Sequence, residues 1–179
     1  MMAHPGKKLM FMGQEFGQFI EWNYKQGLDW LLLDYEKHVQ LKNYFKFINE
    51  LYKNTPALWQ NDYDWKGFSW ISNDDVNNSV IAFRRIDDDG REIIAVCNFT
   101  KVLRKNYCIG VPRNGTYEVI MNSDAIEFGG EGKGSAGKIQ SLPKPMHTLP
   151  YSVSLELPGN SVIYLKTPKQ QRSGKHKTN

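Results

Sequence analysis

Residues 67–71, 79–85, 92–100, 107–111, 116–121, 152–157 and 161–166 are seven short runs rich in β-branched and aromatic side chains, each bounded by turn-forming residues. No other feature narrows the possible folds as much. Runs of this length and spacing form antiparallel sheets, which must stack on one another to bury their apolar faces. An antiparallel β-sandwich is therefore expected over residues 61–167. The clearest turn is Asp87-Asp88-Asp89-Gly90, where Asp-Gly supplies the positive φ angles of a tight hairpin. Leu157-Pro158-Gly159-Asn160 reads as a final hairpin joining the last two strands.

The first sixty residues follow another rule. Leu41, Tyr44, Phe45, Ile48, Leu51 and Tyr52 recur at steps of three and four, which predicts one apolar stripe on a helix over residues 35–53. Pro56 ends it, because the residue before a proline is pushed out of the helical region. Upstream, Leu9 to Met12 is a short apolar run between two lysines and Gly13, which predicts a strand buried on both faces, as in a parallel sheet. Strand, loop and helix make one βα unit over residues 1–60. A single such unit cannot enclose a core, so neighbouring strands are expected from an upstream polypeptide.

Charge and composition exclude several functions. The formal charge is +4, and Lys169, Arg172, Lys175 and Lys177 in the polar tail 168–179, expected to be disordered, account for all of it. Nucleic-acid binding, which needs a basic patch on a folded face, is not expected. There is no apolar run long enough to cross a bilayer and no secretory signal, and only two cysteines, Cys97 and Cys108, occur. A reducing, cytoplasmic setting is expected, and the triplets beginning at Asn98 and Asn114 are given no weight as glycosylation sites. The four histidines show no metal-ligand spacing. Gly132 to Lys138 fits a phosphate-loop spacing, but Ile139 replaces the hydroxyl residue and prolines follow instead of a helix, so a mobile loop is expected and no cofactor.

The residues with the most chemical potential lie in the loop after Met12. Gly13 and Gly17 allow close backbone approach to a ligand, and Gln14, Glu15 and Gln18 offer donors and acceptors for hydroxyl groups. Trp22, Tyr24 and Trp30 add flat apolar faces of the kind that stack on sugar rings. The competing reading is structural, with the aromatics capping a rim and Glu15 in an ion pair. Glycosidic chemistry takes two facing carboxylates, and nothing constrains Glu21 or Asp29 to face Glu15. No catalytic pair is expected here.

The runs AHPGKKLMFMGQEFGQFIEW and LDWLLLDYEKH, followed by NSVIAFRR, VCNFT, YCIGVP and NSDAIEFGG, closely resemble the C-terminal part of the bacterial 1,4-α-glucan (glycogen) branching enzymes of the α-amylase superfamily. The resemblance extends from Ala3 to about Lys166. It implies that residues 7–12 are the eighth strand of a (β/α)8 barrel, that residues 35–53 are its eighth helix, and that the sandwich packs on that barrel. The start, Met1 to Gly6, would be the end of the seventh helix and its turn, as in a fragment, a split gene or a truncated frame. The family's catalytic Asp, Glu and Asp would all lie upstream, so the chain alone is expected to be inactive. Glu15 would shape the floor of the active site, and Gln14, Gln18, Trp22 and Trp30 would line the glucan groove. The implied partners are the upstream barrel portion, in cis or as a separate chain, and an α-glucan. An alternative is a stand-alone α-glucan-binding sandwich using Trp59, Trp65 or Trp70, whose plainer role is packing in the core or at a domain interface.

Overall fold

The computed structural model describes residues 1–169, so most of the tail lies outside the described residues. Eight antiparallel strands follow one long helix, α1 (Glu36–Asn54). They are β1 (Phe68–Asp75), β2 (Val80–Ile86), β3 (Glu92–Asn98), β4 (Arg104–Val111), β5 (Thr116–Asn122), β6 (Lys138–Gln140), β7 (Tyr151–Leu157) and β8 (Ser161–Lys166). A six-stranded sheet has the order β1-β2-β3-β8-β5-β6, and β4 pairs with β7 in a second sheet. The seven expected strands and the helix are all present. The short strand β6 had no apolar alternation to announce it.

Three layers result. Between the two sheets, Ile94, Val96, Ile163 and Leu165 meet Ile109, Val111, Val153, Leu155 and Leu157 in one core. On the opposite face of the large sheet, Phe83, Ile93, Ala95, Met121 and Tyr164 pack beneath Ile48 of α1, the short turn Pro56–Leu58 and the N-terminal Met2 and Ala3. The central strand β3 is therefore apolar on both faces, as the burial of four consecutive residues, Ile93 to Val96, reflects. Helix α1 thus lies on the sandwich. It begins without a side-chain cap, carries Glu36 in its first turn and Lys53 in its last, each at the end its charge favours, and stops before Pro56.

Two expectations fail for clear reasons. Leu9 to Met12 forms no strand among the described residues, so no barrel strand is present there; the segment is exposed, since no adjacent strand offers its backbone partners. The turn Leu157 to Asn160 joins no hairpin either, because β7 pairs with β4 whereas β8 pairs with β3 and β5. It is an arch that carries the chain from one sheet to the other. The buried Asn98 amide holds it, donating to Pro158 O and Val102 O at 2.9 Å each, and Asn160 takes φ 48°. The Asp87–Gly90 turn does join the paired strands β2 and β3, with Gly90 at φ 71°.

The glycine-rich stretch is tied down rather than free. The Asp124 carboxylate accepts from the Glu131 and Lys133 amides at 3.2 and 2.9 Å, and Gly132 N donates to Asp124 O. Gly130 is required here, since a Cβ would sit 2.2 Å from Asp124 O. Phe128, just before it, packs on Tyr44 and Phe47, which fastens α1 to this end of the sandwich.

Candidate functional site

The expected site loop is built around a three-residue 3-10 turn, Gln14–Phe16, with left-handed glycines at both ends, Gly13 at φ 85° and Gly17 at φ 69°. The sequence marked both glycines for close approach to a ligand; here they take left-handed angles, and a Cβ on either would meet Gln18 or Leu41 at 2.9 Å. The fully buried Phe16 anchors the turn against the Trp30 ring at 5.1 Å, and its carbonyl accepts from Nδ1 of His38 on α1 at 2.7 Å. The turn is thereby held on the helix, and the helix on the sheet.

The five candidates divide by what holds them. The Gln14 side chain is exposed and accepts from Phe11 N at 3.2 Å. Gln18 bridges the loop: its Oε1 accepts from Asp29 N at 2.8 Å and its Nε2 donates to Ile20 O at 3.0 Å. Its amide is used in closing residues 18–29 on themselves, a role that position alone did not reveal. Glu15 is half-buried, and among the described residues no hydrogen bond or ion pair engages its carboxylate, so the structural ion pair is not formed. Trp22 sets its ring edge-on to Phe11 at 5.5 Å, and Trp30 packs on Phe16 while remaining more than half exposed. Gln14 and Glu15 thus share one turn, which Gln18 and the two tryptophans flank.

Sequence reasoning missed a second network, around the N-terminal arm and the linker after α1. Arg85, in β2, is fully buried with its charge. It donates to Asp62 at 2.6 Å, to Ala3 O at 2.9 Å and to Gly67 O at 3.2 Å, and so pins the N-terminal arm and the linker to the sheet. Only a charged residue within an apolar strand hinted at it. The linker itself presents aromatic surface: Trp65 is 86% exposed and Tyr63 79%, so Trp65 lies outside the core of the described residues, on surface that a neighbouring domain can cover. Trp70 is 43% exposed and lies edge-on to Phe68 and Phe83. The thiols of Cys97 and Cys108 are free, and burial pushes that of Cys97 up to about 11.

Known proteins match this arrangement. Residues 70–168 match the family model described as the alpha amylase, C-terminal all-beta domain. A 1,4-alpha-glucan branching enzyme GlgB from Halothermothrix orenii is 50% identical over 167 residues, which is 93% of this chain and 26% of that enzyme. The enzyme of the same description from Aquifex aeolicus is 48% identical over the same shares. This chain therefore spans about a quarter of the length of these relatives, their C-terminal part. Among solved structures, the catalytic module of a multi-modular glycogen-degrading pneumococcal virulence factor, SpuA, covers 80% of this chain, with 20% of that chain matched. Its TM-score is 0.51 at 17% identity, a likeness of fold alone. No helix described is long and apolar enough to cross a membrane.

Proposed function

The chain belongs to the family of alpha-amylase C-terminal all-beta domains, and on that premise we propose that it is the C-terminal portion of a 1,4-α-glucan branching enzyme, completed by an upstream barrel portion in cis or on a separate chain. One observation carries this reading. Leu9, Phe11 and Met12 are 75%, 55% and 54% exposed, and Phe19 and Leu31 of the following loop are 80% and 74% exposed. Apolar surface of this extent marks a face that another polypeptide covers. Among the described residues the backbone groups of Leu9, Met10 and Met12 make no hydrogen bond and so are open to a neighbouring strand, and residues 1–60 would complete the barrel to which that strand belongs.

The chemistry assigned to the whole enzyme cuts an α-1,4 link and rejoins the chain as an α-1,6 branch. Cleavage that retains configuration uses two carboxylates about 5 Å apart, a nucleophile and an acid–base. The upstream portion would supply them. This chain's part is to shape the groove: Glu15 as an acceptor for a sugar hydroxyl, Gln14 as its neighbour, Gln18 holding the loop closed, and Trp22 and Trp30 offering ring faces to glucosyl units. The free thiols accord with a reducing, cytoplasmic setting.

A branching assay on amylose, read by iodine colour and branch length, tests this. The chain alone is expected to give no turnover, and mixing it with the folded upstream barrel portion is expected to restore it. Turnover by the clean chain, or none in the mixture, would overturn the reading.

The exposed Trp65 and Tyr63 favour a second reading, a sandwich that holds α-glucan by itself. It expects tryptophan fluorescence to change on titration with glycogen and the change to vanish in Trp65→Ala. A flat titration to millimolar maltooligosaccharide removes it.

A further inference from the structure

The two sheets leave a cleft of about 550 Å³ where the edge strand β1 meets β4, well away in sequence from the loop of Glu15. That volume lies within the range of small-molecule sites, roughly 300–1,000 Å³. Both strands are irregular where they border it. Pairing slips between Trp70 and Asp75 on β1 and between Arg104 and Tyr107 on β4. Such bulges re-aim side chains at sheet edges and beside binding sites.

Backbone strain gathers at the same place. Asn106 and His147 line the cleft at φ 55° and 50°, and Ser79 and Thr148, each next to a lining residue, stand at φ 50° and 63°. Left-handed conformations of residues other than glycine persist only where the surroundings enforce them, and they cluster at ligand clamps. A hydrogen-bond network holds the wall beside them. The Tyr107 hydroxyl donates to Asp75 at 2.6 Å, Asn78 donates to Asp75 from backbone and side chain at 3.1 and 2.9 Å, and Arg104 donates to Asn78 O at 3.3 Å. The bond from Tyr107 draws the Asp75 carboxyl below its ordinary range, so it stays an acceptor. Gly110 N donates to Nδ1 of His147 at 3.1 Å, which puts the ring proton of the neutral imidazole on Nε2. Arg104 Nε is buried without a partner among the described residues.

We propose that this cleft is a secondary binding site for a neutral, polyhydroxylated ligand, an α-1,4-glucan segment. The charges select the class. Asp74 and Asp75 repel an anion, and Arg104 and Lys105 repel a cation, whereas sugar hydroxyls both donate and accept and so satisfy both sets. Within that class, the choice of α-1,4-glucan rests on the branching-enzyme reading above. A site at the sheet edge would hold a long glucan chain while the groove works on another part of it, and even a weak hold raises the local concentration.

Chemical-shift mapping of the full isotope-labelled chain with maltoheptaose tests the proposal. Among the described residues Asp74 and Asn106 make no side-chain bonds within the cleft, and glycine suits the backbone of Asn106, so the double variant D74A/N106G leaves the Asp75 network in place. Shifts at Asn106, Tyr107 and His147 are expected with a dissociation constant in the millimolar range, weakened about tenfold in the variant. Shifts confined to Trp65 and Tyr63, titration with inorganic phosphate but not maltoheptaose, or an unchanged constant in the variant would each overturn it. The two proposals fail separately: a silent cleft leaves the branching reconstitution intact, and failed reconstitution with cleft binding retained overturns only the branching reading.

Discussion

Replacing Arg85 with alanine is expected to lower stability by about 3–5 kcal/mol, the range for breaking a buried ion pair from one side. The guanidinium is fully buried, and Asp62, its partner at 2.6 Å, is nearly so. Removing the cation strands the carboxylate and leaves Ala3 O and Gly67 O without donors, each a further desolvation loss. Asp62→Asn keeps the shape and removes the charge, and is expected to lose less. A urea titration of both single variants and the double variant measures the coupling. A loss under about 1 kcal/mol for Arg85→Ala would show that water reaches the site and that the arm and linker are not pinned by it.

Ile48→Ala is expected to lower the urea midpoint nearly as far, by about 2–5 kcal/mol of stability, whereas Leu31→Ala should stay within about 0.5 kcal/mol. Ile48 is fully buried between α1 and the large sheet, so its truncation leaves a cavity in the second core. Leu31 is among the most exposed apolar residues. The contrast tests whether α1 is an integral layer of the sandwich. Equal, small effects would mean that the helix rides loosely on the sheet. In the mixture with the upstream portion the order should reverse, with Leu31→Ala weakening association because its surface is then covered.

How much was legible follows from the range of each interaction. The β-branched and aromatic runs of β2, β3 and β8 and the stripe on α1 are local patterns, and their boundaries fall within two residues of those observed. Leu9 to Met12 carries the same kind of local signal, yet a strand exists only through hydrogen bonds to other strands, and none is at hand. In the candidate site, the left-handed angles of Gly13 and Gly17 came from the structure, but the backbone freedom behind them was readable because glycine lacks a Cβ. That Gln18 closes the loop on Asp29 was not, because the two are eleven residues apart and their meeting depends on the path between them.

The sequence by itself determined the helix, the seven strand-forming runs and the hairpin at Asp87–Gly90, since each depends on neighbouring residues. Only the tertiary structure decided the rest. It sent β7 and β8 to different sheets across the Leu157–Asn160 arch, laid α1 on the outer face of the large sheet, buried Arg85 as the pin between arm and linker, and opened a polar cleft between β1 and β4. Alternation says that a strand has an inner face but not which sheet supplies the opposite wall, and that choice comes from packing volume and buried polar satisfaction summed over the whole chain.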